Sequence, residues 1–600
     1  MTIETHKLPT RAEAPLEYTW DLSLIFADVA AWERELAAIE ALAQELGALH
    51  GTLGQGPAQL VRVLSLRDEV ARRLYALYVY AAHRKDSDAT DTTGQALQER
   101  AGSFAAHVSA LMAFIEPEIL AIAEATLAQW LRETPALQLY TYELEKLNRQ
   151  RAHIRSAEVE RVLAQFSDIT RAPYETFEML TDSDLSFPAI ADEEGNTVQL
   201  SHGRYRRFIE SPDRRVRHDA FKGYHGAYRP FRNTIATTLG AAIRTHVVEA
   251  RVRNYASALE AALTPNEIPL AVYHNLIDTV EANLDKNYRY MEVRKRLMGL
   301  DELRIYDLYV HPVPDVELTL PYAEGTELMR AAFAPLGADY GAALHQAFSS
   351  RWIDVYENVG KRSGAYSGGA YSTPPYILLN YQDRLDDAFT LAHELGHSMH
   401  SYFTRKHQPF VYGNYTIFVA EVASTLNEAL LTDYLLKHRD DEALRRRLLV
   451  QQIEDIRRTI IRQTMFASFE LTMHELVEAG EPLTAEGLTR RYQELMVKYH
   501  GPTVTLDEEI GFEWARIPHF YYNFYVYQYA TGLSAALALS RQIISEGQPA
   551  VERYLRFLSS GSSRPSIDLL RDAGVDMTTP APVQAAMDTY GQLIDQLEQL

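Results

Sequence analysis

Residues 386–403 carry two histidines four positions apart, and a glutamate directly follows the first of them. On a helix, His393 and His397 would lie one turn apart on the same face, close enough to bind one metal ion. Glu394 would lie about 100° around the helix, so its carboxylate could stand beside the ion rather than bind it. This His-Glu-x-x-His pattern predicts a zinc peptidase site in which Glu394 is the general base for a metal-bound water.

A catalytic zinc ion needs three protein ligands and one open position. The chain has no cysteine, so its metal ligands must be His, Asp or Glu. Residues 418–436 predict a helix, and Glu421 lies in its apolar first turn, where a carboxylate needs a partner. Glu421 is therefore a candidate third ligand. Glu428 lies on the same face. It could be a second ligand, a hydrogen-bond acceptor for a ligand histidine, or an ordinary solvated acid.

Five tyrosines fall within residues 521–529, just after a histidine. If this segment is one helix, His519, Tyr522 and Tyr529 share one stripe. A phenol keeps its proton well above neutral pH, so it could donate a hydrogen bond to the oxyanion formed in peptide hydrolysis. Aromatic stripes usually belong to a hydrophobic core, and that alternative stays open.

A Gly/Ser-rich loop, residues 364–369, precedes a predicted strand at 376–379. Glycines allow a close backbone approach, so an extended peptide could pair with a sheet edge here. Gly368 and Tyr371 are accordingly predicted to contact substrate. A flexible turn is the open alternative.

The elements that must position these residues are mainly helices. Residues 28–49 and 440–478 have apolar positions at helical spacing. Within the second of these segments, His474-Glu475 begins the same motif but lacks the second histidine, and we expect it to be ordinary helix surface. Residues 185–205 predict a hairpin. The predicted organisation is a helical region at 1–185, the hairpin at 186–204 and a helical catalytic region at 205–600.

Composition excludes several classes of protein. The 600 residues include 59 basic and 81 acidic side chains and no cysteine, which gives a net charge of −22. Disulfide frameworks, thiol nucleophiles, iron–sulfur clusters and thiolate-bound zinc are excluded. The acidity disfavours nucleic-acid binding. We find no signal-peptide pattern and no apolar run near eighteen residues, so we expect a cytoplasmic protein without a membrane partner.

Several runs of sequence resemble oligoendopeptidase F, a bacterial branch of the thimet oligopeptidase family of zinc metallopeptidases. The matching runs are YTWDLSLIF, EEGNTVQLSHGRY, GKRSGAYSGGAY, PYILLNY, LAHELGHSMHS and AEVASTLNE. They extend over nearly the whole chain. The resemblance implies a mainly α fold of two largely helical halves around a deep channel, with a small sheet or hairpin beside the zinc helix. It also implies cleavage of short oligopeptides at internal bonds, with folded proteins spared.

The resemblance also implies roles for individual residues. His393, His397 and Glu421 match the family's ligands of one catalytic zinc ion, and Glu394 matches its base. Tyr522 and Tyr529 match the family's spaced tyrosines. We therefore expect Tyr529 to be the oxyanion donor, with Tyr522 and His519 as substrate contacts. His519 lies two residues closer to the first tyrosine than in the mammalian-type branch.

Two alternatives remain from sequence. One is an exopeptidase of similar helical build, such as a dipeptidyl carboxypeptidase or a zinc carboxypeptidase, which would need a cationic anchor for the terminal carboxylate. The other is a non-enzymatic helical scaffold or peptide-binding protein with a coincidental motif. Short peptides are the expected partner in each enzymatic case.

Overall fold

The computed structural model describes residues 7–314, 316 and 318–600, and most of these residues are helical. The α-helices are α1 Val29–Gly47, α2 Pro57–Ser87, α3 Thr92–Met112, α4 Ile115–Ala121, α5 Glu124–Glu133, α6 Thr141–Arg149, α7 Ala157–Met179, α8 His202–Ile209, α9 Arg214–Gly226, α10 Arg232–Val252, α11 Ala258–Leu263, α12 Leu270–Glu281, α13 Leu284–Leu297, α14 Tyr322–Ala332, α15 Gly337–Ser349, α16 Leu385–His407, α17 Ile417–His438, α18 Glu442–Ile456, α19 Arg462–Glu478, α20 Ala485–His500, α21 Tyr527–Glu546, α22 Gln548–Leu558, α23 Ser566–Asp572 and α24 Ala581–Gln599. The strands are short: β1 Ala189–Ala191, β2 Thr197–Gln199, β3 Leu303–Arg304, β4 Ile353–Asp354, β5 Tyr366–Gly368, β6 Tyr376–Leu378 and β7 Val504–Thr505. The predicted mainly α class is confirmed.

The chain forms two compact units, and each unit combines three stretches of sequence. Unit 1 contains Met1–Arg151, Glu317–Leu435 and Leu539–Gly574. Unit 2 contains Ala152–Val316, Leu436–Ala538 and Val575–Leu600. The regions predicted from sequence follow the chain in order, whereas these units join distant stretches.

The first helices of unit 1 form a hydrophobic core. α1 begins where the Asp28 carboxylate accepts the backbone N–H of Ala31 at 2.7 Å, which satisfies one of the free donors of the first turn. Trp32 is fully buried, and its indole N–H donates to the carbonyl of Leu77 on α2 at 2.9 Å. The helix predicted from apolar spacing at 28–49 is therefore confirmed, and its apolar stripe packs against α2 and α3.

One segment of unit 1, Thr92–Ala121, contains an 18-residue window with a mean hydropathy of 1.4, so by length and composition it could cross a membrane. It is not an uninterrupted apolar run, because it includes Glu99, Arg100, Glu116 and Glu118. The segment is divided into α3 and α4, and α3 packs on α1 and α2. Only 17% of this window is buried, and a single helix of this kind is weak evidence that assigns no membrane location.

A three-stranded sheet in unit 1 has the order β4-β6-β5, with β4 parallel and β5 antiparallel to β6. The predicted strand at 376–379 is thus confirmed as β6, and all of its residues are buried. The loop between β4 and β5 is anchored by the fully buried Lys361. Its ammonium group pairs with the Asp354 carboxylate at 2.8 Å and donates to the Tyr356 carbonyl at 2.6 Å. Because both charges are buried, each needs the other.

Unit 2 contains the predicted hairpin, in which β1 and β2 pair antiparallel and Ile190 lies opposite Val198. The predicted long helix at 440–478 is present as α18 and α19, joined by a π turn at Arg457–Ile461. The prediction that His474 lies on the helix surface is wrong. Its side chain is buried, and its Nε2 atom lies 3.1 Å from Nδ1 of His246, because α19 packs against α10 along this face.

Candidate metal centre and active site

The helix that carries the motif, α16, begins and ends with favourable electrostatics. At its start, the Asp387 carboxylate accepts the backbone N–H groups of Gln382 and Arg384 at 2.9 and 3.0 Å. These bonds satisfy donors that a helix terminus would otherwise leave free. Its last turn is basic, which complements the negative end of the helix dipole. These interactions stabilise both ends of the helix that carries the motif.

Helices α16 and α17 run antiparallel and approach most closely at Gly396. A Cβ atom at Gly396 would lie 2.4 Å from the Cα of Ser424 and 2.5 Å from the carbonyl oxygen of Ala423, so only glycine fits. One turn away, the buried Asn427 side chain donates to the carbonyl oxygen of Ala392 at 3.1 Å. This close contact aligns the acidic face of α17 with the histidines of α16. Sequence analysis missed it, although the glycine stands inside the motif.

Three donor atoms of unit 1 meet at one point. His393 Nε2 lies 3.2 Å from His397 Nε2 and 3.4 Å from Glu421 Oε2, and His397 Nε2 lies 3.6 Å from that same oxygen. A tetrahedral zinc ion with bonds of about 2.0–2.1 Å needs ligand atoms about 3.4 Å apart. The residues present therefore fit zinc, and the structure brings together all three predicted ligands.

Carboxylate and hydroxyl groups of α17 orient two of the three candidate metal ligands. Glu428 accepts a hydrogen bond from Nδ1 of His393, which leaves Nε2 as the nitrogen that would bind a metal. Burial lowers the pKa of His393, but the hydrogen bond and charge of Glu428 outweigh it and raise the pKa to about 9 in the metal-free site, so a metal ion would have to displace the proton on Nε2. Ser424 donates to Glu421 Oε2 at 3.0 Å. This contact favours Glu428 as a hydrogen-bond acceptor for a ligand histidine over an ordinary solvated acid.

Glu394 lies beside the donor group and is almost fully buried, with 7% of its surface exposed. Burial, followed by the negative charge of Glu421, raises the pKa of Glu394 to about 7, although His393 opposes the shift. The backbone N–H of Ser367 on β5 donates to this carboxylate. A carboxylate that titrates near neutral pH is suited to proton transfer. Ser367 is a contact that sequence analysis missed, since it comes from a separate element.

Gly368 is the last residue of β5, and Tyr371 lies in the segment that follows this strand. The carbonyl oxygen of Gly368 lies 3.5 Å from Nε2 of His83. The Tyr371 hydroxyl donates to the carbonyl oxygen of Gln408 at 2.7 Å, directly after α16. Tyr371 therefore fastens this segment to the end of the motif helix, and the substrate contacts of both residues stay predictions.

The tyrosine-rich segment of unit 2 is not one helix, so the predicted helical stripe is wrong. A 3₁₀ turn at Pro518–Tyr521 is followed by irregular backbone, and α21 begins only at Tyr527. Asn523 and Phe524 have left-handed φ angles of 48° and 60°. The buried Glu470 stabilises this turn, because its carboxylate accepts the backbone N–H of Phe524 at 2.6 Å.

The turn nevertheless gathers the predicted side chains into one aromatic group. The ring of His519 lies 5.4 Å from that of Tyr522 and 6.0 Å from that of Tyr529. The Tyr529 hydroxyl lies 3.4 Å from His519 Nε2. The Tyr522 hydroxyl lies 2.8 Å from that of Tyr174 on α7, which sequence analysis did not associate with this group.

Comparisons with known proteins show which family this chain belongs to. Residues 207–589 match peptidase family M3, and residues 118–187 match oligopeptidase F. The chain is 46% identical to oligopeptidase PepF of Bacillus subtilis (strain 168) over 597 residues, covering 100% of this chain and 89% of the relative. It is 40% identical to group B oligopeptidase PepB of Streptococcus agalactiae, covering 98% of each. The crystal structure of oligoendopeptidase-F from Enterococcus faecium has a TM-score of 0.74 at 39% identity, covering 94% of this chain and 98% of that one.

A helical fold with two histidines and a glutamate around one point, and a buried glutamate beside them, defines a metallopeptidase. The family match covers more than half of the chain, and the chain belongs to peptidase family M3. The resemblance to oligoendopeptidase F is confirmed, and the protein is a metalloendopeptidase. Family M3 is zinc-dependent in general. Membership sets aside the alternative of a non-enzymatic scaffold.

The contact at Gly396 gives the first prediction. Gly396→Ala should force α16 and α17 apart, lower the melting temperature and reduce the zinc retained after dialysis against a chelator. Overpacking of this kind costs about 1–3 kcal/mol. Gly341→Ala on α15 is the control, since a Cβ there meets nothing within 4 Å. Equal zinc retention in both variants would contradict the proposed role of the helix contact.

Glu428 gives the second prediction. Glu428→Gln can still accept a hydrogen bond but removes the charge behind His393, so zinc affinity should fall about 10–100-fold in a chelator competition titration. Glu327→Gln is the control in unit 1, because that side chain is 74% exposed and pairs only at the surface with Arg330. If Glu428→Gln binds zinc as tightly as the control does, Glu428 does not tune the ligand.

Proposed function

We propose that this protein is a zinc-dependent oligopeptidase that hydrolyses internal bonds of short peptides. The observation that carries the proposal is the triangle of His393, His397 and Glu421, whose donor separations fit one tetrahedral ion. The buried Glu394 beside that triangle supplies the base. Short peptides as substrates are supported by the names of the relatives, which are oligopeptidases.

The proposed chemistry assigns one task to each residue. His393, His397 and Glu421 would hold the zinc ion, which when bound supplies a Lewis acid that acidifies water and polarises a carbonyl group. Glu394 accepts a proton from the attacking water and then delivers it to the leaving nitrogen of the cleaved bond. Its burial favours this shuttle, because a desolvated carboxylate takes up a proton near neutral pH.

We further propose that Tyr529 donates to the developing oxyanion and that His519 and Tyr522 contact substrate. Burial lowers the pKa of His519, so this imidazole is neutral at neutral pH. A neutral imidazole near the Tyr529 hydroxyl can accept its hydrogen bond or donate to it. Gly368 and Tyr371 remain proposed substrate contacts, and the cytoplasm remains the proposed location.

The base is tested by Glu394→Gln. This change keeps the size of the side chain but removes its ability to take a proton, so kcat/KM should fall about 10²–10⁴-fold while zinc content stays unchanged. Glu475→Gln is the matched control, because Glu475 also follows a histidine but is exposed on α19 and lacks the second histidine. Near-normal turnover by Glu394→Gln would refute the assignment of the base.

The position of cleavage is tested with one internally quenched peptide blocked at both ends. An endopeptidase should cut it between internal residues, and mass spectrometry of the products identifies the bond. An obligate dipeptidyl carboxypeptidase or zinc carboxypeptidase needs a free carboxylate and should leave the blocked peptide intact while cutting the unblocked form. That second result would favour the exopeptidase alternative. Loss of cleavage with a chelator, restored by zinc, is the control for metal dependence.

A further inference from the structure

Unit 2 contains a cavity of about 390 Å³ that is lined by basic side chains. This volume lies within the range of small-molecule sites. The basic residues come from α8, from the π turn and α19, and from the turn that ends before Pro518: Arg206, Arg457, Arg458, Arg462 and Arg516. Such a concentration of arginine contrasts with the net charge of −22 of the whole chain.

The π turn at Arg457–Ile461 is what directs several of these arginines into one cavity. A π turn widens the helix by one residue, and such turns occur frequently at functional sites. Here it brings Arg457, Arg458 and Arg462 to the same cavity wall. The periodicity of residues 440–478 predicts only a regular helix, so this arrangement could not be seen in the sequence.

Among the residues that the structure describes, arginines outnumber the carboxylates that pair with them beside this cavity. The buried Glu454 carboxylate pairs with Arg294 at 2.6 Å, Arg457 at 2.8 Å and Arg458 at 3.3 Å. The buried Glu513 carboxylate pairs with Arg462 and Arg516. Four arginines of the cavity wall and Arg294, which does not line the cavity, therefore share two carboxylates, and this group of described residues has an excess of three positive charges. Arginine does not lose its proton in proteins, so this cavity wall stays positively charged and attracts anions.

The pairs at Glu513 leave hydrogen-bond donors unused. Arg462 and Arg516 both donate through Nη2 to the same oxygen of Glu513, at 2.6 and 2.8 Å. Tyr492 donates to the other oxygen at 2.6 Å. The Nε atom of Arg516 is buried and has no hydrogen-bond partner among the described residues. This nitrogen is not accessible, but the side chains of Arg458, Arg462 and Arg516 are 48%, 18% and 22% exposed, so other donors of these guanidinium groups are open to a ligand.

The remaining walls are aromatic or neutral. The rings of Tyr205 and Tyr224 stack at 3.8 Å, and the Arg516 guanidinium lies 5.8 Å from the centre of the Tyr224 ring. His500 also lines the cavity, and burial followed by the charge of Arg457 lowers its pKa to about 4, so it adds no charge at neutral pH. The one acidic side chain of the lining, Glu210, lies 4.0 Å from Arg206 and compensates only that arginine.

We propose that this cavity binds a phosphate-type oxoanion, either free phosphate or the phosphoryl group of a small molecule. A phosphate dianion removes two of the three excess charges, whereas a single carboxylate removes one. Its tetrahedrally arranged oxygens can accept hydrogen bonds from several guanidinium groups at once, and arginine binds phosphate in this way. This inference does not depend on the peptidase mechanism, because all of the lining residues belong to unit 2 and none is a proposed metal ligand.

The experiment is calorimetric titration of inorganic phosphate into the zinc-loaded full chain at constant ionic strength. We expect saturable binding of one phosphate, weakened at least about tenfold in Arg458→Gln, which loses one charged hydrogen bond. Arg458 is suited to this test, because its side chain is 48% exposed and its loss leaves Glu454 paired with two arginines. Arg296→Gln on α13 is the matched control, since it removes an equally charged but surface-exposed group.

Titrations with adenosine monophosphate and with acetate show which kind of anion the cavity binds and whether a larger molecule carries it. Binding of adenosine monophosphate at least tenfold tighter than phosphate, with the same loss in Arg458→Gln, would identify the phosphoryl group of a larger molecule; equal affinities would identify free phosphate. The proposal is overturned if phosphate does not bind, if it binds equally to the wild type and Arg458→Gln, or if acetate binds as tightly as phosphate. Equal effects of Arg296→Gln and Arg458→Gln would also overturn it.

Discussion

The close approach of two helix backbones at Gly396 is the constraint on which the metal centre depends. Only because residue 396 has no side chain can α17 pack so near to α16. At that distance Glu421 reaches both histidines, and Glu428 reaches the far nitrogen of His393. Ligand geometry and the orientation of the His393 imidazole therefore have one common cause.

Much of the fold and of this site could be predicted from sequence, because the information is local. Apolar spacing predicts α1 and the long helix at 440–478, and turn residues predict the hairpin of β1 and β2. Spacing of four residues places His393 and His397 on one helix face. Glu421 could be proposed because a carboxylate on an apolar helix needs a partner, and the resemblance to a known family then gave it a role.

The features that could not be predicted depend on partners far away in sequence. The tyrosine segment turns instead of continuing as a helix because Glu470, 54 residues before Phe524, accepts its backbone N–H. His474 is buried because its partner His246 lies 228 residues away. The arginines of unit 2 likewise converge only after folding, when a π turn and two buried carboxylates bring them together. The spacing of apolar residues describes one helix at a time, so it does not predict contacts between residues far apart in sequence.

The coordination of the metal can be measured most directly by X-ray absorption at the zinc edge on the purified full-length chain. We expect one zinc ion per chain, with two imidazole nitrogens and the remaining ligands oxygen, all at about 2.0–2.2 Å. Substitution of His397 by alanine should remove one imidazole from that spectrum or abolish zinc binding. A chain that binds no zinc, or a spectrum with two imidazoles that is unchanged in His397→Ala, would contradict a metal centre built from His393, His397 and Glu421.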